Sequence, residues 1–127
     1  MTRGFVENRI KIFLVIGLGL VVYWVKMDKV KRVVECLKRY NPEEIMIFGS
    51  YARGDADEQS DLDLVVIKQT EKRFLERLIE VAGFLDNDLG KVDVFVYTRK
   101  EFEEMKNKGN PFIERVLKDG RVIYKAQ

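Results

Sequence analysis

Three aspartates and a glycine–serine pair carry the chemistry that this sequence can offer. Asp61 and Asp63 stand in the segment DLDLVVI, and Asp93 stands in KVDVFVY. Both segments alternate and are rich in branched residues, so both are expected to be strands. Side chains along a strand alternate faces, so Asp61 and Asp63 project together while Leu62 and Leu64 point into a core. The same rule sets Asp93 opposite Val92 and Val94. If the two strands are neighbours, three carboxylates converge. Two unit charges about 4 Å apart repel by roughly 4 kcal/mol at an effective dielectric near 20. A small domain has only about 5–15 kcal/mol of total stability. Such a patch calls for a cation, and Mg²⁺ takes oxygen ligands while bridging substrate phosphates.

A D-x-D on a half-exposed strand is often only a solvated face, and what precedes it changes the reading. The short apolar run Glu44–Phe48 (EIMIF) closes on Gly49-Ser50, and Ser50 to Arg53 has the character of a first helical turn. A strand that ends in glycine and turns into a helix start presents free N–H groups suited to phosphate. Gly49 permits close backbone approach, and the Ser50 hydroxyl adds a donor. Arg53 either adds positive charge for a triphosphate or forms a surface ion pair with Asp55 or Asp57. Tyr51 is a packing residue or part of a nucleotide pocket.

Composition removes several classes of activity. The 127 residues contain no histidine, so no Ser-His-Asp or Cys-His machinery and no His-ligated zinc can operate. Cys36 is the only cysteine, which rules out an internal disulfide and fits a reducing, cytoplasmic compartment. A small, buried or half-buried helix residue is its expected role. The net charge of +2 comes from the first 26 positions, and from Met27 onward 19 basic residues face 20 acidic ones. A near-neutral body of this kind has no electrostatic footprint for a long nucleic acid.

The elements that must position these residues follow from periodicity. A helix is expected from an Asp28 N-cap through Val30, Val33, Val34 and Leu37, ending at Asn41-Pro42. Gly54 to Ser60 is a polar loop. An amphipathic helix is expected over Thr70–Leu85, burying Phe74, Leu75, Leu78, Ile79, Ala82 and Leu85. Thr98 and Glu101 form a capping box for another helix, and Asn110-Pro111 starts a further one holding Phe112, Ile113, Val116 and Leu117. The segment RVIY closes the chain as a strand. The expected class is α/β (α+β): a small mixed sheet covered by helices.

Residues 1–26 differ in character from the domain expected at 27–127. Ile12 to Val25 is uncharged and flanked by basic residues, yet shorter than the roughly 18–20 residues that a spanning helix needs. Gly17-Leu18-Gly19 lacks the third glycine of a dinucleotide loop, since position 22 is Val. The leader reads as translated upstream sequence with Met27 as the true start, as a short membrane anchor, or as an extra element packed on the domain.

The string Gly49-Ser50-YARGDADEQS-Asp61-Leu62-Asp63, with Asp93 in VDVFVY and the closing NPFIERVLKDGRVIY, resembles the signature of the DNA-polymerase-β-type nucleotidyltransferases. More narrowly, the chain from Asp28 to Lys125 is similar to the minimal nucleotidyltransferases (MNT), antitoxin halves of HEPN–MNT toxin–antitoxin pairs. The resemblance implies a palm-like fold and transfer of AMP from ATP to a tyrosine of a HEPN toxin. It implies two Mg²⁺ ions held by Asp61, Asp63 and Asp93, with Asp93 also orienting the attacking hydroxyl. Gly49 and Ser50 would bind the β and γ phosphates, with Arg53 beside them. A domain this small needs a partner for one wall of its acceptor site, hence a homo- or hetero-oligomer. Two other readings stay open: nucleotidyl transfer to a small molecule such as an aminoglycoside, and a non-catalytic toxin-binding module.

Overall fold

The Glu44–Phe48 run becomes the inner strand β1, buried along its whole length. Its apolar residues are shared between two cores, as expected of a strand covered on both faces. A computed structural model describes residues 18–127, with side chains from Met27 onward. Helix α1 (Leu18–Lys38) precedes β1, and the single turn α2 (Ser50–Arg53) follows it. Then come β2 (Leu62–Ile67), α3 (Phe74–Ala82), a 3₁₀ turn (Asn87–Leu89), β3 (Val92–Tyr97), α4 (Arg99–Asn107), α5 (Pro111–Asp119) and β4 (Arg121–Lys125). The sheet order is β3-β2-β1-β4. β1 runs antiparallel to β2 and β4, whereas β2 and β3 are parallel, joined by the crossover through α3. This is the mixed sheet with helical cover that the sequence implies.

Each face of the sheet has its own core. Val33 and Leu37 of α1 and Val81 of α3 pack on Ile45, Ile47, Leu62, Leu64, Val66, Val94 and Val96. On the other face Phe102 of α4 and Ile113 and Val116 of α5 pack on Met46, Phe48, Val65 and Ile67. Leu62 and Leu64 are fully buried, each contributing about 1.5–3 kcal/mol. A slip of β2 by one residue would bury Asp63 and expose both leucines, so the register is firmly set.

Two helices depart from their expected form. Asp28 is no N-cap: α1 runs unbroken from Leu18 through Met27 to Lys38. The part of the apolar leader before Leu18 lies outside the described residues. Among those described, no helix is long and apolar enough to cross a membrane. Helix α3 is shorter than Thr70–Leu85 and turns a different face inward. Leu75 and Ile79 are 71% and 78% exposed, Phe74 and Ala82 are also exposed, and Arg77 is buried at 5%. The cause is hydrogen bonding. Arg77 donates to the carbonyls of Lys72 (2.8 Å) and Val96 (3.1 Å) and to both Glu101 oxygens (2.7 and 3.0 Å). A guanidinium satisfied in this way can occupy the inner position beside Val81. Cys36 is buried, as expected. Thr98 and Glu101 form their reciprocal capping box, and Asn110 caps α5 through the Phe112 and Ile113 N–H groups.

Candidate active site

The parallel pairing of β2 with β3 sets Asp63 directly beside Asp93 in register. Phe48 of β1 lies on the other flank of Asp63. Because side chains alternate, Asp63, Asp93, Phe48 and Phe95 share one face. Phe95 and Phe48 both pack edge-on to Phe112, with ring centroids 5.1 and 5.5 Å apart. The carboxylates therefore border an aromatic floor at the end of the sheet. Burial raises the Asp63 pKa first, and the charges of Asp93 and Asp61 raise it further; Arg53 opposes the shift. Asp93 is within hydrogen-bonding reach of Asp63. The adjacency that a carboxylate site demanded is met by this pair. Asp61, just before β2, adds its charge to the same centre while its Oδ2 is held by Lys91 Nζ at 3.2 Å.

Gly49 closes the other side. It has φ 75° and ψ −156°, a region essentially confined to glycine. A Cβ placed there would overlap Asp63 Oδ2 and lie 3.3 Å from Cγ. The sequence suggested that Gly49 lets a ligand approach the backbone; the structure adds a close approach by the Asp63 carboxylate. The single turn α2 then closes, with the Ala52 and Arg53 N–H groups donating to the Gly49 carbonyl at 3.1 Å. The first N–H groups of such a turn have no upstream helical acceptor. Arg53 projects beside the site, and its guanidinium donates to Asp55 and Asp119, both at 3.3 Å. Those ion pairs are exposed and weak, so they leave the side chain able to turn toward an anion. Of the alternatives Asp55 or Asp57 expected from sequence, Asp55 pairs with Arg53, and Asp119 of α5, not foreseen, pairs with it as well.

Among the described residues, no three carboxylates or thiolates are arranged as a ready-made cation cage. The donor set nevertheless fits a hard divalent cation: it is all oxygen, and its members repel one another. Lys91 on Asp61 and the raised pKa of Asp63 are two ways in which the protein itself relieves that repulsion. Sequence reasoning missed the basic side of the site. Lys29 of α1 donates to the Lys91 carbonyl at 3.2 Å and lies over the Tyr51 ring, 5.7 Å from its centroid. Gly90, at φ 77° and ψ −158°, repeats the Gly49 conformation just before β3. That second glycine ahead of an aspartate-bearing strand was the available signal.

Residues 30–124 match the model of the nucleotidyltransferase domain, covering every element from β1 to β3 that carries these groups. The chain belongs to the nucleotidyltransferase family. It is thus an enzyme of the transferase class, and relatives of this nucleotidyltransferase narrow the setting. A Methanocaldococcus jannaschii protein whose name proposes protein adenylyltransferase activity is 35% identical over 100 residues, spanning 75% of this chain and 94% of the relative. Among solved structures, a Sulfolobus solfataricus protein described as a candidate nucleotidyltransferase superposes with TM-score 0.59 at 24% identity, covering 81% of this chain and 86% of that one. The MntA-HpeT toxin–antitoxin, solved in mutant form, superposes with TM-score 0.53 at 21% identity, covering 76% and 72%. Those two likenesses are of fold. In this nucleotidyltransferase the sheet brings Asp63, Asp93 and Gly49 together, with Asp61 and Arg53 at the margin.

Proposed function

We propose that this nucleotidyltransferase transfers AMP from ATP to a tyrosine hydroxyl of a HEPN-type toxin, acting as its antitoxin in the cytoplasm. The observation that carries the reading is the Asp63–Asp93 pair, in register on parallel strands and backed by Gly49. The names of the adenylyltransferase relative and of the toxin–antitoxin neighbour support the choice of acceptor.

In this reading Asp61, Asp63 and Asp93 hold two Mg²⁺ ions, which supply charge neutralisation for the triphosphate and a lowered pKa for the acceptor hydroxyl. The protein's own groups do the rest. The N–H groups of the Gly49-Ser50 turn and the Ser50 hydroxyl bind the β and γ phosphates. Arg53 turns from Asp55 and Asp119 to the same anion. Asp93 accepts the hydroxyl proton as the acceptor oxygen bonds to the α-phosphorus. The bond from the α-phosphorus to the bridging oxygen breaks, and pyrophosphate leaves with the electron pair. Proton transfer to a positioned carboxylate contributes about 10²–10⁴ in rate. The partner completes the acceptor wall, making the working unit a hetero-oligomer.

The test is transfer of label from ATP radiolabelled at the α-phosphate to the purified toxin in the presence of Mg²⁺. Label on the toxin, absent when Asp93→Asn replaces the wild type, is the expected result. Absence of label with wild type, alongside toxin neutralised equally well by Asp61→Ala/Asp63→Ala, would overturn the reading in favour of a non-catalytic binding module.

A further inference from the structure

Lys29 of α1 borders the site and carries a charge that no ion pair among the described residues answers. Its ammonium donates to the Lys91 carbonyl at 3.2 Å and sits 5.7 Å from the Tyr51 ring centroid. A Cβ on Gly90 would lie 3.5 Å from the same nitrogen, an ordinary van der Waals contact, so the ammonium rests against the Gly90-Lys91 turn. The side chain is partly buried. Among the described residues it forms no ion pair, while Lys91 beside it is paired with Asp61. Burial lowers the Lys29 pKa, and Asp61 partly restores it. A cation held in this way, partly stripped of water and without a carboxylate of its own, is poised for an anionic ligand.

Its position says which anion. Tyr51, beneath the ammonium, directly follows Ser50 in the turn that the proposed function assigns to the phosphates. Asp61, whose charge acts on both Lys29 and Tyr51, leads into the strand that carries Asp63. Lys29 thus lies on the Asp61 side of the site, whereas Asp93 pairs with Asp63 on the neighbouring strand. We propose that Lys29 is a phosphate-anchoring residue, whose ammonium engages the terminal phosphates of the nucleoside triphosphate across the face of Tyr51. The inference rests on the nucleotidyl-transfer reading and adds to it a residue from a helix outside the G-S and D-x-D motif. Tyr51 acts as the platform that keeps the ammonium in place.

The competing reading is that Lys29 only ties α1 to the Gly90-Lys91 turn. Calorimetric titration of AMP-PNP and of AMP, each with Mg²⁺, into wild type, Lys29→Gln and Lys29→Arg separates the two. Glutamine keeps a donor for the Lys91 carbonyl but loses the charge, and arginine keeps the charge. The unliganded melting temperature of each variant reports whether the tie is intact. The expected result is AMP-PNP binding weakened by about tenfold or more in Lys29→Gln, the size of a lost charge-assisted hydrogen bond. Lys29→Arg should recover most of that loss, and AMP, which lacks the terminal phosphates, should bind all three proteins alike. AMP-PNP binding left unchanged by Lys29→Gln, or AMP and AMP-PNP weakened equally, would overturn the lysine assignment alone. Failure of the wild type to bind AMP-PNP would overturn the nucleotide reading and this inference together.

Discussion

Replacing Gly49 with alanine tests the construction of the site at its tightest point. Two separable costs arise. The first is conformational: φ 75° and ψ −156° lie where a Cβ is strained, worth about 1–3 kcal/mol. The second is steric: the new methyl overlaps Asp63 Oδ2, and forcing a packed group aside costs about 1–3 kcal/mol. Together they predict a loss of about 2–6 kcal/mol from a total of about 5–15 kcal/mol. With a urea slope of about 1–3 kcal/mol per molar for a small protein, the unfolding midpoint should fall by about 1 M or more. Asp63→Ala removes the obstructing carboxylate and leaves the backbone conformation unchanged. In a double-mutant cycle the Gly49→Ala cost should therefore shrink by about 1–3 kcal/mol in that background. Equilibrium urea unfolding of the four proteins, followed by circular dichroism, measures both quantities. A Gly49→Ala loss below about 1 kcal/mol would refute the conformational argument. An unchanged cost in the Asp63→Ala background would refute the contact.

Asp63→Asn should raise the melting temperature at pH 7 while reducing transfer by about 10² or more. The Asp63 pKa is raised in the folded state by burial and by Asp93 and Asp61, so the folded protein binds the extra proton. The wild type then loses stability as pH climbs from the ordinary carboxylate range through that raised value. The advantage of the asparagine variant should disappear below about pH 4; an equal advantage at every pH would contradict the assignment. Added Mg²⁺ should raise the wild-type melting temperature by linkage and should do much less for Asp63→Asn or Asp93→Asn, as differential scanning fluorimetry will show. Arg77→Leu should cost about 2–4 kcal/mol, since it strips the Lys72 and Val96 carbonyls of a donor and Glu101 of its partner. Arg77 holds the Glu101 pKa low, so that pair's contribution is present above Glu101's unfolded pKa near 4.5 and fades as pH falls through the folded value. Acid unfolding curves of wild type and Glu101→Gln should converge below that point.

The strands and their aspartates were legible because their period of two fixes facing without reference to the rest of the molecule. Once DLDLVVI and KVDVFVY are strands, only their adjacency is needed to bring Asp63 to Asp93, and the parallel register supplies it. Helix α3 was not legible in the same way. Phe74, Leu75, Leu78 and Ile79 span so wide an arc that apolar pattern alone could not choose between faces. The choice was made by Arg77, whose acceptors lie on β3, on α4 and in the turn before α3. The start of α1 was obscured because an apolar stretch continues the helix upstream and leaves Asp28 nothing to cap. Lys29 and Lys91 escaped notice for a related reason. A lysine acquires meaning only from the tertiary neighbour that its long chain reaches, here a carbonyl and a carboxylate more than two dozen residues away.

The position of β4 has a consequence for how the chain comes to be folded. β1 is paired on one side by β2, which follows soon after, and on the other by β4, which follows every other strand. During synthesis the run Ile45-Met46-Ile47-Phe48 must wait with its outer edge bare until Arg121–Lys125 emerges from the ribosome. An unpaired apolar edge of this kind is a template for joining the wrong chain. Pairings of such long sequence separation also form late. The nascent protein is therefore most vulnerable to self-association just before its final strand docks, and a truncation that removes β4 should send more of the expressed chain into inclusion bodies than the full chain does.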